Sequence, residues 1–337
     1  MRTSLNDIAE KLKLSKATIS WTLSGKGDEK GISLVTQEKV FQCAKELNYQ
    51  PNLLARSLHR GYSKTIGLII PDITDSFYSK IACVIEKEAD EQGYSVMIGN
   101  SESKIEKENK LIRLFKAKQV DGIILAPTKV SKSEIETLVD ESFPLVLFDR
   151  YFPQIDTNYV IIDNEESSYQ LVRKMILDGA RKIAIITTNS YLRTMNMRRE
   201  GYARALMEMD FPVESELYGE VPFVDYEHNI DKTLDRIFHD VPDVDGFFFS
   251  THILAIEAFR YFYDKGINLK KYELACIHSI PSFRALAPKI NIAFMPIDEI
   301  GENAVRILLK SIESHQEQSK EKKKVETVVL HCKISTP

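Results

Sequence analysis

Ser4-Leu5-Asn6-Asp7-Ile8-Ala9-Glu10-Lys11-Leu12, followed at once by Leu14-Ser15-Lys16-Ala17-Thr18-Ile19-Ser20-Trp21-Thr22-Leu23, decides how the chain reads. Leu5, Ile8, Ala9 and Leu12 recur at i, i+3, i+4 and i+7, the apolar stripe of an amphipathic helix. Ser4 with Asp7 three residues on has the pattern of a capping box and marks the helix start. Ser15 can cap a second helix, with Leu14 and Ile19 spaced as a hydrophobic staple. In that helix Ile19 and Leu23 are expected to face inward, while Lys16, Ala17, Ser20, Trp21 and Ser24 share the outer face. Two short helices with a small, polar, basic outer face fit a helix-turn-helix, whose second helix enters the DNA major groove. A third helix is expected after the glycine-rich insert 24–31, with Thr36 as its cap, Val35 and Val40 as its staple, and Val40, Phe41, Ala44 and Leu47 facing the core.

The charge of the whole chain points the other way. Its 337 residues carry a net charge of −4, which alone argues against a nucleic-acid partner. Divided by segment, the sign reverses. Residues 1–62 hold 10 Lys+Arg against 6 Asp+Glu, a net of +4, and the remaining 275 hold 35 against 43, a net of −8. A basic arm on an acidic body is a pointer to nucleic-acid binding by the arm. With 43% hydrophobic and 28% charged residues the chain reads as soluble and globular. It has no apolar run near the ~18 residues of a membrane span, and its polar start lacks a secretion signal, so a cytoplasmic location is expected. Cys43, Cys83, Cys276 and Cys332 lie far apart and read as reduced thiols, with neither a disulfide frame nor a metal site implied.

Asp7-Ile8-Ala9, Leu14 to Ser20, Leu23-Ser24-Gly25 and Asn48-Tyr49-Gln50-Pro51-Asn52-Leu53-Leu54-Ala55-Arg56-Ser57-Leu58 together resemble the DNA-binding headpiece of the LacI/GalR transcription regulators. Thr65-Ile66-Gly67-Leu68-Ile69-Ile70-Pro71-Asp72-Ile73 carries the resemblance into the body, and it covers essentially the whole chain. It implies that Lys16, Ala17 and Trp21 read bases, and that Ser15, Thr18 and Ser20 contact phosphates, which position the helix without specifying sequence. Trp21 departs from the Arg or His usual in the family; an indole can pack on a thymine methyl but cannot make the bidentate guanine contact of Arg. The resemblance also makes residues 50–61 a hinge helix that folds on DNA, with Asn52 and Ala55 at the DNA and Leu58 wedging a base step from the minor groove.

The body alternates β-rich runs and helical patterns. Strands are expected at 65–70, 94–98, 121–125, 145–148, 159–162, 182–187, 245–249 and 273–277, with helices at 77–92, 103–118, 165–178, 198–209 and 251–264. Near-continuous apolar strands separated by helices imply a parallel sheet covered on both faces, and the restart near 160 implies two halves. The expected class is therefore α/β: an all-α helix-turn-helix headpiece, then a periplasmic-binding-protein-like core of two doubly wound parallel-sheet subdomains. The resemblance places the boundaries at 1–49 for the headpiece, 62–162 with 291–322 for the first subdomain, and 163–290 with 323–337 for the second. A final strand is expected within 325–334.

Ligands of open α/β sheets lie beyond the carboxyl ends of the strands, so a cleft between the halves is the expected site. By the resemblance, Asp75, Phe77 and Tyr78 follow the first strand, Asp149-Arg150 the fourth, and Arg198 belongs to an Arg-x-x-Gly-aromatic motif with Gly201 and Tyr202. Thr251 and His278 complete the set at positions where relatives carry amide and carboxylate residues. Those departures suggest an anionic or unusual saccharide as effector, with Arg198 and a His holding its charge, or else a pocket that has drifted and responds to something else. No catalytic motif is present: there is no HExxH, no nucleophile elbow, no phosphate-binding loop and no dinucleotide fingerprint. The expectation is a homodimeric, saccharide-responsive repressor that binds a pseudo-palindromic operator and needs no cofactor. The alternative is a free sugar-binding protein of the periplasmic type, which would have a signal peptide and no headpiece.

Overall fold

Ser4 closes the expected capping box: its backbone N–H donates to Asp7 Oδ2 at 2.7 Å, and Asp7 N–H donates to Ser4 Oγ at 3.4 Å. The helix it starts, α1 (Leu5–Leu12), ends on Lys13 at a left-handed φ of 53°. Such a backbone costs a non-glycine residue roughly 1 kcal/mol. Two residues later Ser15 Oγ accepts from Thr18 N–H at 3.0 Å and opens α2 (Lys16–Leu23). The third helix, α3 (Leu34–Glu46), is capped by Ser33, whose hydroxyl accepts from Thr36 N–H at 3.3 Å. Thr36 is thus inside the helix, and Val35 and Phe41 lie exposed where the sequence suggested a staple and a core contact. Ile8, Ile19 and Val40 are fully buried and, with Ala9, Cys43 and Ala44, form the core of this unit. Leu23 packs only partly; Thr22 takes the buried place, its hydroxyl donating to the Thr18 carbonyl at 2.9 Å.

The computed structural model describes residues 3–49, 61–128, 132–188, 193–222, 226–317 and 325–335. The chain divides into two units, Met1–Ser63 and Lys64–Pro337. In the second, β1 (Thr65–Ile70), β2 (Ser95–Asn100), β3 (Gly122–Leu125), β4 (Leu145–Phe148), β5 (Asn158–Ile162) and β11 (Thr327–Leu330) build one parallel sheet in the order β11-β5-β4-β3-β1-β2. A second sheet takes β6 (Ile183–Thr188), β7 (Tyr218–Val221), β8 (Gly246–Phe249), β9 (Glu273–Ile277), β10 (Asn291–Phe294) and β12 (Lys333–Ser335) in the order β12-β10-β9-β8-β6-β7. Among the described residues only β12 runs antiparallel. Strands such as Leu145–Phe148 and Gly246–Phe249 are buried throughout, as required of strands covered on both faces.

The covering helices are α4 (Ser76–Glu91), α5 (Ile105–Ala117), α6 (Lys132–Asp140), α7 (Asn164–Leu177), α8 (Arg193–Glu208), α9 (Tyr226–Asp240), α10 (His252–Asp264), the short α11 (Phe283–Leu286) and α12 (Ile297–Gln316). Two subdomain boundaries differ from the sequence expectation. Asn291–Phe294 pairs with β9, so the chain leaves the second sheet after Phe294 and not at 290. The apolar run 325–334 is not one strand: Thr327–Leu330 adds to β5 in the first sheet and Lys333–Ser335 to β10 in the second. The last crossing therefore falls at His331-Cys332 and not at 322. Each sheet had one open edge beside the crossing, and a two-residue break lets the run satisfy both.

Candidate functional site

Ser15, Lys16, Ala17, Ser20 and Trp21 are exposed on α2 and Thr18 is half-buried. Ser15 and Thr18 hydroxyls lie 2.8 Å apart at the helix N-terminus, where free N–H groups favour an anion. Trp21 is 40% exposed, with Lys30 Nζ 5.5 Å from its ring. A large aromatic left outside the core of a small helical unit is available to a partner. Asn52, Ala55 and Leu58 lie outside the described residues.

In the second unit the strand ends of the two sheets face a cavity of about 340 Å³. Asp75, Phe77, Tyr78, Asp149, Arg150, Arg198, Thr251 and His278 all line it. On the first-subdomain wall Asp75 caps α4, accepting from Phe77 N–H at 2.8 Å. Tyr78 Oη donates to Asp149 Oδ2 at 2.7 Å, and burial raises its hydroxyl well above the ordinary tyrosine value. Arg150 Nε stands 3.3 Å from the same Asp149 oxygen, and its Nη1 donates to the Pro127 carbonyl at 3.3 Å. Asp149 reaches this position through a left-handed φ of 61° straight after β4.

The second-subdomain wall is built on Arg198, 4% exposed. Its Nε donates to Asn164 Oδ1 at 2.8 Å and its Nη1 to the Ser250 carbonyl at 2.6 Å. Both acceptors are neutral, and among the described residues Arg198 has no carboxylate partner within ion-pair distance. Thr251 caps α10. His278, left-handed at φ 70°, follows β9; burial, with His252 beside it, pushes its imidazole down to about 3.

The walls touch across the cleft. His252 Nε2 lies 3.1 Å from Asp75 Oδ1, the Phe77 and His278 rings meet edge to face at 5.3 Å, and Thr194 Oγ1 donates to the Asp149 carbonyl at 3.2 Å. Burial works against the Asp75 carboxylate, yet the bond to His252 and its charge hold it below the usual carboxylate range. His252, Thr194, Met195 and Tyr226 also line the cavity, and Asn164 orients Arg198 from outside it. Of these, His252 stood out in the sequence, beside Thr251 at a helix start where relatives usually carry Asn-Asp; Thr194, Met195, Tyr226 and Asn164 gave no signal. Carboxylates that accept, guanidinium groups that donate and aromatic faces beside them suit a ring compound rich in hydroxyls.

Residues 63–323 match the family described as periplasmic binding proteins and sugar binding domain of LacI family, and residues 4–52 match bacterial regulatory proteins, lacI family. The ribose operon repressor of Halalkalibacterium halodurans is 31% identical over 313 residues, spanning 92% of this chain and 91% of that protein. Catabolite control protein A of Priestia megaterium is 28% identical, spanning 92% of each. Among solved structures, the lac repressor dimer bound to operator and the anti-inducer ONPF superposes with a TM-score of 0.82 at 19% identity, covering 100% of this chain and 99% of that one. The transcriptional regulator CelR–cellobiose complex does so at 0.72 and 20% identity, covering 99% of each.

Proposed function

The chain belongs to the LacI family of bacterial regulatory proteins, and from that membership we propose how its residues carry out the work of a DNA-binding transcriptional regulator. Lys16, Ala17 and Trp21 read base edges in the major groove, with Ser15, Thr18 and Ser20 on phosphates. Asn52, Ala55 and Leu58 form the hinge contact in the minor groove. Two copies of the chain, as a homodimer, set the spacing of two headpieces over a pseudo-palindromic operator. The protein acts in the cytoplasm as a repressor and has no catalytic step.

A saccharide binds in the cleft among Asp75, Phe77, Tyr78, Asp149, Arg150, Arg198, Thr251 and His278 and controls operator affinity. One observation carries this reading: the cavity draws its polar groups from both subdomains, and those groups already bond across it. A ligand that seats better in one degree of closure shifts the population toward it and so changes operator affinity, and linkage requires that the operator change ligand affinity by the same factor. The cellobiose in the CelR complex occupies a protein of the same fold. The test is an operator selected in vitro, with anisotropy measured for the full chain and for a truncation lacking residues 1–60. The truncation should lose DNA binding yet keep saccharide binding by calorimetry. A truncation that still binds the operator, or a full chain whose operator affinity no saccharide alters, refutes the assignment.

A further inference from the structure

A second cavity, of about 350 Å³, adjoins the first and shares its His278 and Met295 wall. Its charged lining is one-sided. Lys80 of α4 enters from the first subdomain and Arg284 of α11 from the second, and no acidic residue lines it. Neither cation makes a hydrogen bond or ion pair among the described residues, although most other surface cations in the core have found a carboxylate, as Lys87, Lys116, Lys182 and Arg260 have. Ser279, beside them, has a hydroxyl with no partner among the described residues. Deeper in, His278 is 5% exposed and its Nε2 has no hydrogen-bond partner. Two cations and a hydroxyl thus line one space with no acceptor of their own.

We propose that this second cavity binds a phosphate-bearing anion, held between Lys80 and Arg284 with Ser279 as a further donor. A phosphate offers three or four strong acceptor oxygens to cations approaching from different directions, which a two-oxygen carboxylate does not. Because one cation belongs to each subdomain, the bound anion spans the cleft. The site adjoins the saccharide cavity but holds its anion with other polar groups, so it stands whether or not that cavity takes a sugar.

Calorimetry on the full chain tests this with inorganic phosphate, ribose and ribose 5-phosphate, and with the variants Lys80→Ala and Arg284→Ala. Both side chains are exposed, so each variant should keep the wild-type melting temperature. Inorganic phosphate should bind saturably, and each variant should weaken it about tenfold, the loss of one charge-assisted contact. Ribose 5-phosphate binding more tightly than inorganic phosphate identifies the phosphoryl group of a sugar as the natural anion, and equal affinity identifies free phosphate. Absence of saturable phosphate binding overturns the proposal. So does phosphate binding that neither variant changes, which would place the anion elsewhere, for instance on the basic headpiece.

Discussion

Gly201→Ala should damage the core and its cleft together. Gly201 lies where α8 crosses the start of α7, and a Cβ there would stand 2.1 Å from the Glu165 carbonyl oxygen and 2.9 Å from Ser168 Cβ. Ordinary contact begins near 3.4 Å, so the helices would have to part by about 1.3 Å, the difference between 3.4 and 2.1. The obstacle is backbone, which cannot swing aside like a side chain, so the cost sits near the upper end of overpacking, about 3 kcal/mol. Alanine returns about 1 kcal/mol of helix propensity, leaving a net loss of about 2 kcal/mol. Arg198 is one turn earlier on the same face, bonded at 2.8 Å to Asn164, the first residue of α7. Separating the helices stretches that bond, so cleft-ligand affinity should fall with stability. Urea unfolding of the core unit, followed by circular dichroism, measures the first effect and calorimetry the second. An alanine variant as stable as wild type would refute the reasoning, because propensity would then have been the only effect.

Three further outcomes follow from the geometry. Ser4→Ala removes the hydroxyl half of the capping box, leaves the backbone N–H bond to Asp7, and should cost the headpiece about 1 kcal/mol, read as a lower melting temperature of that unit. His278 sits near pKa 3 when folded and near 6.5 when unfolded, so the unfolded chain takes the proton first; its stabilising contribution is whole above pH 6.5 and shrinks as pH falls, by about 1.4 kcal/mol at pH 5.5. His278→Asn, which tolerates the left-handed backbone, should flatten that part of the urea-midpoint slope between pH 7.5 and 5.5, and an unchanged slope would contradict the buried neutral imidazole. Trp21 is the only tryptophan, so its fluorescence should change when the operator is added; constant emission through saturation would remove it from the interface.

The headpiece was legible because its signals are local. Ser4, Asp7 and Ser15 cap their own helices, and the Ile8 and Ile19 spacing needs no distant partner. Ser33 was overlooked in favour of Thr36 because both are capping residues three apart, and only the observed hydrogen bond separates them. Long apolar strands such as Thr65–Ile70 and Glu273–Ile277 were likewise plain in the sequence. Tyr218–Val221 was not, since a four-residue edge strand containing Gly219 and Glu220 has little apolar run to read. Residues 325–334 read as one strand because periodicity does not reveal a change of sheet. In the cleft, the residues named in advance sit at strand ends or within the Arg-x-x-Gly-aromatic motif. The pairing of Asp75 with His252 joins residues 177 positions apart, and nothing in either neighbourhood announces it.

The three crossings also fix the order in which the core can be completed as it is made. Strands β1 to β5 emerge first, but the helix that covers them, α12, lies against β3, β4, β5 and α4 and begins only at Ile297. Ile300, Ala304, Val305 and Leu308 of that helix are buried in the finished fold. Between Ile162 and Ile297 a ribosome adding about 5–20 residues per second spends roughly 7 to 27 seconds on the second subdomain. Throughout that interval the part of the first sheet that α12 will cover stands bare beside α4, and its β5 edge is open. The second sheet, begun later, waits only for the three-residue β12. The half of the core that is synthesised first therefore closes only after nearly all of the other half has been made, and it is the half a chaperone would meet uncovered.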